Sequence, residues 1–327
     1  MGTYEWTVQH KGEFSGWSAE SAPATFTAVA PPDRLFVTKH GGAYKIDPDT
    51  MNVEAGYYNF DTRSGHIEFG QDGYLYVTES HNNSSYSSGG AFMKVDPTDM
   101  TEVKKIAANG GATRAVAWGS DGYLYTGGGN GKLRQRDPAD LSVIAEYTGH
   151  SSTIYGITQG ADGYIYSGGG NGTHKIDPAT MTQVASQGSS SWSNIWGGDG
   201  YLYSADKYSG RVRKIDPSNM NHVGSLGGIN DCSGVAYGAD GYLYATSYRD
   251  DFVQKIDPAS LTKVAQVNVV EMSMGVIYGP DGFVYAGRKK IDPATMTIIN
   301  EADQRNYGVI WSQPRGMITG VSYPYPA

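Results

Sequence analysis

A five-residue unit, Asp-Gly-aromatic-aliphatic-Tyr, recurs along this chain and constrains its fold more than any other feature. It reads DGYLY at 72–76 and 121–125, DGYIY at 162–166, DGYLY at 199–203 and 240–244, and DGFVY at 281–285. A weaker copy, DRLFV, stands at 33–37. Each is followed by a unit ending in Asp-Pro: KIDP at 45–48, KVDP at 94–97, QRDP at 135–138, then KIDP at 175–178, 214–217, 255–258 and 290–293. The aspartates at 47, 96, 137, 177, 216, 257 and 292 are spaced by 49, 41, 40, 39, 41 and 35 residues. That makes seven repeats of about 40 residues, a period that belongs to arrays whose units bury a core only by stacking on their neighbours.

Within a repeat the apolar residues alternate, as in Tyr242-Leu-Tyr-Ala, Phe252-Val-Gln-Lys-Ile and Lys263-Val-Ala-Gln-Val, which predicts four short strands. Asp-Gly supplies a hairpin turn, since Gly takes a positive φ without steric cost. Asp-Pro ends the third strand, because Pro cannot donate to a ladder. The predicted fold is all-β: a seven-bladed β-propeller of four-stranded antiparallel blades. YGVIWSQ at 307–313 matches the first-strand units MGVIYGP at 274–280 and SGVAYGA at 233–239, so it is expected to supply the innermost strand of blade 1. Such a C-terminal strand closes the ring and removes an open edge; a truncated eighth blade is the alternative. The expected organisation is an arm at 1–27, a propeller at 28–312 and a tail at 313–327.

Composition removes several functions. A net charge of -8 leaves no basic footprint for nucleic acid. No apolar run approaches the roughly 20 residues that span a bilayer. MGTYEWTVQH has neither a basic nor an apolar leader region, so no signal peptide is expected. Cys232 is the one cysteine, which rules out intramolecular disulfides and a cysteine-based zinc site. These features suit synthesis in a reducing cytoplasm, with later action outside the cell by a route such as virion release.

The repeat units resemble the broad group of NHL, YVTN and PQQ-type propeller repeats over about residues 28–312. That resemblance implies the fold and leaves function open, because the group holds enzymes, receptors and scaffolds. The Trp docking motif of PQQ-type repeats is absent, and no cofactor is expected. Residues 4–27, YEWTVQHKGEFSGWSAESAPATFT, resemble the last two strands of a fibronectin type III domain, with Tyr4, Trp6, Trp17 and Phe26 as its aromatic marks. Two strands alone are marginal in water, so this arm is expected either to complete a partner's sheet or to pack on the propeller. Similar fibronectin-like pieces accompany propellers in structural proteins of tailed bacteriophages and in secreted bacterial surface proteins.

The two faces of the predicted ring differ. Both lower turns, Asp-Gly and Asp-Pro, are stereotyped, whereas the upper loops and inter-blade connections vary from blade to blade, so a selective site is expected on the upper face. The upper loops include GGGNG at 127–131 and again at 168–172. Gly131-Lys132 suggests a phosphate cradle, but such a loop must open a helix. Here an alternating strand follows, and Asn-Gly between strands reads as a hairpin. These short loops beside the longer 80–90 loop predict a low step on the rim near His150 and Tyr155. The recurring Asp72, Asp121, Asp162, Asp199, Asp240 and Asp281 read as turn residues. His40, His66, His81 and His150 map to the upper face without a shared ligand spacing, while His174 and His222 read as structural. Glu271, Asn194 and Asp231 could imitate a hard-cation site. Non-repeating aromatics there are Tyr86, Tyr155, Trp192, Tyr208, Tyr248 and Tyr307, which beside Asn, Asp and Arg suit sugar rings.

The candidate ligand or partner surface is therefore Arg63, His66, Arg114, His150, Tyr155, Trp192, Asn194, Tyr208, Tyr248, Glu271 and Tyr307. The leading expectation is a non-catalytic structural or receptor-binding component of a virion, of the tailed-bacteriophage kind. Its arm would join other virion structural proteins and its upper face would meet a partner or a host surface glycan. A metal-dependent lyase or lactonase-type propeller enzyme and a cytoplasmic interaction scaffold are the alternatives.

Overall fold

The computed structural model describes residues 2–6, 11–12, 16–17, 24–28, 34–39, 42–58, 63–80, 90–107, 112–269 and 275–302. One compact unit is Met1–Arg34 and the other begins at Leu35. In the first, Gly2–Trp6 pairs antiparallel with Ala24–Ala28, setting Tyr4 opposite Phe26, and Lys11–Gly12 pairs with Gly16–Trp17.

The second unit is a seven-bladed β-propeller. Blades 2 to 7 are four-stranded antiparallel meanders over 63–107, 113–147, 154–187, 193–227, 232–268 and 276–301. Blade 1 contributes Leu35–Lys39, Gly42–Ile46 and Val53–Tyr57 among the described residues. The strand expected from 307–313 to complete it lies outside the described residues. Ring closure is nevertheless visible: Leu35, Val37, Tyr44 and Ile46 of blade 1 share one core cluster with Ile277 and Tyr285 of blade 7. Asn300 Nδ2 of blade 7 also donates to the Asp49 carbonyl of blade 1 at 3.0 Å.

Burial explains the strand sequences. Second strands such as Ile165–Gly169 and Leu243–Ser247 are buried along their whole length, because neighbouring blades cover both faces. Outer strands such as Thr182–Gln187 are mostly exposed and alternate. The Asp-Gly turns form as expected: Gly73, Gly122, Gly163, Gly200, Gly241 and Gly282 all have φ between 82° and 85°.

The recurring aspartates do more than turn the chain. In blade 6, Asp240 Oδ2 accepts from the Tyr244 hydroxyl at 2.5 Å and from Lys255 Nζ at 2.9 Å. Lys255 Nζ also donates to the Pro293 carbonyl of blade 7 at 2.8 Å and lies 4.1 Å from the Tyr242 ring centroid. The same latch joins blade 2 to 3 through Lys94 and Pro138, 4 to 5 through Lys175 and Pro217, 5 to 6 through Lys214 and Pro258, and 7 to 1 through Lys290 and Pro48. Burial and the carboxylate both push the tyrosine hydroxyls up, so they stay protonated and keep donating. Blade 3 has Gln135 where the others have Lys. Its amide still reaches Tyr125 Oη at 2.9 Å, Asp121 at 3.2 Å and the Pro178 carbonyl at 3.3 Å.

A second device went unread in the sequence. After each Asp-Pro, a Met or Leu adopts a left-handed backbone: Met51, Met100, Leu141, Met181, Met220, Leu261 and Met296, with φ from 51° to 65°. Its N–H closes the turn onto the Asp carbonyl, as in Met220 to Asp216 at 2.7 Å. That backbone costs on the order of 1 kcal/mol or more in a non-Gly residue, which burial of the side chain offsets: Met220 and Leu141 are sealed in the core.

Candidate functional site

The two GGGNG stretches are hairpins. Gly169 pairs with Gly172 across the two-residue loop Gly170-Asn171, and Gly131 N–H bonds the Gly128 carbonyl at 3.1 Å. Lys132 forms an ion pair with Glu146, which also accepts from Arg134 Nε at 2.9 Å, so no phosphate cradle forms. The glycines are packing positions. A Cβ at Gly127 would meet the Ile154 side chain at 2.6 Å, and one at Gly168 would meet Asn194 Nδ2 at 2.4 Å.

The step expected beside His150 depends on the 80–90 loop, most of which lies outside the described residues. His150 is only 5% exposed and lies against Gly169 and Gly131. Its ring bonds Asn171 Oδ1 at 2.9 Å and Ser167 Oγ at 2.8 Å, and stacks on His174 with centroids 3.8 Å apart. His174 in turn meets the Tyr147 hydroxyl at 2.7 Å. His150 is thus a packing residue that supports the rim, in contrast to its expected place in ligand contact. Burial lowers its pKa, with Asn171 and Ser167 opposing, and burial together with His150 lowers His174 to about 4. His66 falls to about 4 through burial and the nearby Arg114.

These shifts predict acid sensitivity. The folded chain holds the imidazoles neutral, so below about pH 6.5 the unfolded chain binds more protons and stability falls as pH falls. The loss per histidine is about 1.4 kcal/mol for each pH unit traversed down to the folded value. Denaturant unfolding at pH 7, 6 and 5 should show this decline, and a His174→Asn variant should show a shallower one. Equal slopes in parent and variant would refute the assignment.

Next to this packed corner the structure assembles most of the expected aromatic set. Tyr155 lies in Ile154–Gln159 of blade 4, and Trp192 immediately precedes Ser193–Trp196 of blade 5, tied by its N–H to the Ala205 carbonyl at 2.8 Å. The two rings stack with centroids 3.9 Å apart, 9° from parallel. Arg114 of blade 3 places its guanidinium carbon 5.8 Å from the Tyr155 centroid. On Trp192, Lys207 Nζ lies 4.2 Å from the ring centroid and 5.3 Å from that of Tyr248 in blade 6. Tyr208 stands at 78° to Trp192 and is 69% exposed. Arg114, Tyr155, Trp192, Lys207 and Tyr248 therefore form a continuous cation and aromatic column across four blades.

The loop carrying Lys207 and Tyr208 is pinned by Asp206. Its carboxylate accepts from Ser190 Oγ, Ser209 N–H and Arg213 Nη2, the last at 2.7 Å. Burial pushes the Asp206 carboxyl up, but these bonds outweigh it and hold its pKa below the usual range. Asn194 is buried beside the column, its Oδ1 accepting from Ser191 Oγ at 2.8 Å. Two buried donors here, Trp192 Nε1 and Asn194 Nδ2, have no acceptor among the described residues.

Of the remaining expected site residues, His66 is half-buried in Arg63–Phe69, its N–H bonding Thr78 Oγ1 at 2.8 Å. The Arg63 side chain, Glu271 and Tyr307 lie outside the described residues, as do His40, His81 and Tyr86. Asp231 sits 3.8 Å from Arg249 Nε. Among the described residues no group of three or more His, Cys, Asp or Glu side chains is placed to hold a metal ion. Lys207 is the member that sequence reading missed. Its signal was its place beside Tyr208 in an upper loop, DKYSG, that breaks the repeat.

No family model matches the chain, and no curated protein matches it. Solved structures do, 1427 chains in number. One, titled as the crystal structure of a mitotic checkpoint complex, is similar with a TM-score of 0.66 at 16% identity, over 79% of this chain and 81% of that one. At that identity the likeness shows the propeller fold alone. No helix among the described residues is long and apolar enough to cross a membrane.

Proposed function

We propose that this chain is a non-catalytic recognition propeller of a virion, of the tailed-bacteriophage kind. Its upper face at blades 3 to 6 binds a host surface glycan, and residues 1–27 join it to a neighbouring virion protein. The observation that carries the glycan reading is Tyr208, which stands on a pinned loop edge-on to Trp192 of the stacked pair and whose ring is open to solvent. Sugars are recognised by stacking of their C–H faces on such rings, with polar groups at the edge to fix orientation. The virion reading is supported by the arm, whose aromatic strand pattern resembles the end of a fibronectin type III domain and whose two strands pair as such an end would.

The test is binding of the whole chain to immobilised surface polysaccharides of candidate bacterial hosts, measured by interferometry. Saturable binding to at least one saccharide is expected. No saturable binding to any saccharide, charged or neutral, overturns the glycan reading.

A further inference from the structure

We propose that Asn171 and the two histidines it bridges form a proton-operated latch between blades 3 and 4, which opens in mild acid and frees the segment carrying Tyr155. The latch stands whether or not the upper face binds a saccharide.

The bonds at this corner fix which groups donate. The Tyr147 hydroxyl donates to Gln183 Oε1 at 2.5 Å, so it can only accept from His174. His174 Nδ1 therefore carries the proton of the 2.7 Å bond between them. The neutral ring then offers Nε2 as an acceptor, and Asn171 Nδ2 donates to it at 3.3 Å. Asn171 Oδ1 accepts from His150 Nδ1 at 2.9 Å and from Ser152 Oγ at 3.4 Å. One amide thus ties the blade 4 hairpin to the inter-blade connection 148–153 at two points.

Protons undo this arrangement. A cationic His174 turns an N–H towards the Asn171 amide N–H, donor against donor. Turning the amide over gives His174 its acceptor but takes Oδ1 away from His150 and Ser152. With both rings charged, Asn171 has one acceptor oxygen where two ring N–H groups need one. Two cations would then stack with centroids 3.8 Å apart, 13° from parallel. The corner has no slack to admit water around them: a Cβ at Gly169 would lie 2.8 Å from the Thr153 carbonyl oxygen, and one at Gly131 2.5 Å from that of His150.

Among the described residues no carboxylate bonds either ring. On blade 3, Lys132 and Arg134 pair with Glu146. On the strand of His174, Lys175 pairs with Asp162, and Asp177 accepts from the Ala179 N–H in the turn. The outer strand Thr182–Gln187 has no titratable side chain, and the connection 148–153 has none besides His150. Tyr147 is the remaining titratable contact, and burial pushes its hydroxyl pKa up, so it adds no negative charge.

The connection leads directly into Tyr155. Ile154 pairs with Gly169 and Gly156 with Gly168, which leaves Tyr155 as the extra residue of a bulge. Its stacking on Trp192 is therefore held from the flanking segments rather than by a cross-strand partner of its own. Release of His150 and Ser152 loosens one of those flanks.

The test is hydrogen exchange of the whole chain at pH 7 and pH 5, read by mass spectrometry and corrected for the intrinsic effect of pH. The open corner binds protons below about pH 6.5 that the closed corner resists, so protection falls about tenfold per pH unit for each proton taken up. Peptides covering 148–156 and 167–174 should lose about thirtyfold in protection between the two pH values, the figure for one proton. At pH 5 their protection should lie at least about tenfold below that of Leu243–Ser247 in blade 6, the mark of an opening that leaves the rest of the fold closed. Asn171→Asp replaces the amide donor with an acceptor for both rings, so its fall should flatten or reverse. His174→Asn removes one of the two cations and should also shrink the fall, which keeps the test decisive if Asn171→Asp does not fold. Unchanged protection at the corner overturns the latch, as does equal protection in the corner and blade 6 at pH 5. A fall as steep as the parent's in either folded variant overturns it too.

Discussion

Asp240→Ala should lower the unfolding free energy by about 3 kcal/mol, the low end of the cost of breaking a buried ion pair. The variant leaves the Lys255 ammonium and the Tyr244 hydroxyl without the carboxylate that accepts from both. Lys255 keeps the Pro293 carbonyl and the Tyr242 face, and water reaches the site, since the Asp240 side chain is 23% exposed. These remaining contacts are why the low end is expected. Lys255→Gln should cost about 1 kcal/mol, because Gln135 already makes the equivalent contacts in blade 3 and the Asp240 carboxylate left without an ammonium is 23% exposed and keeps the Tyr244 hydroxyl. Denaturant unfolding of the two variants beside the parent tests the latch. A cost below about 1 kcal/mol for Asp240→Ala would remove the carboxylate from the account of blade cohesion.

Gly172→Ala should be as damaging, by about 3 kcal/mol or more. Gly172 has φ 120°, and an added Cβ would stand 2.0 Å from the Gln187 carbonyl oxygen and 3.0 Å from Gly188 Cα. Both obstacles are backbone, so relief requires the third and fourth strands of blade 4 to part. Gly188→Ala is the matched control: it is exposed, an added Cβ there meets nothing, and the change should stay within about 0.5 kcal/mol. If the two variants unfold at the same denaturant concentration, the glycines of this loop are not packing positions.

The fold was legible because Asp-Gly and Asp-Pro are local turn chemistry repeated seven or nearly seven times, and a local rule that recurs in phase outweighs tertiary context. The latch was legible in principle: Lys255 and its counterparts recur in register with the aspartates, as Asp240 with Tyr244 already does. The Met and Leu after each Asp-Pro were not, because a left-handed backbone is expected of Gly or Asn rather than of Met220. The site divides in the same way. Tyr155, Trp192, Tyr208 and Tyr248 were singled out as aromatics that break the repeat, but the stacked, edge-on and cation contacts that join them across three blades depend on orientations no periodicity encodes. Lys207 was hidden by its length, since a lysine reaches its partners through four carbons. His150 was expected on the upper face because it stands in a variable segment between blades. Its ring packs against Gly169 and stacks on His174, contacts that no local pattern encodes.

The most direct test of recognition at blades 3 to 6 is the affinity of Tyr208→Ala for the saccharide the parent chain retains. The ring is exposed, so its removal should leave the unfolding free energy within about 0.5 kcal/mol of the parent. Affinity should nevertheless fall about tenfold or more, the worth of an aromatic platform in ligand contact. Unchanged affinity in a variant of unchanged stability would contradict the account and move the recognition surface away from this column.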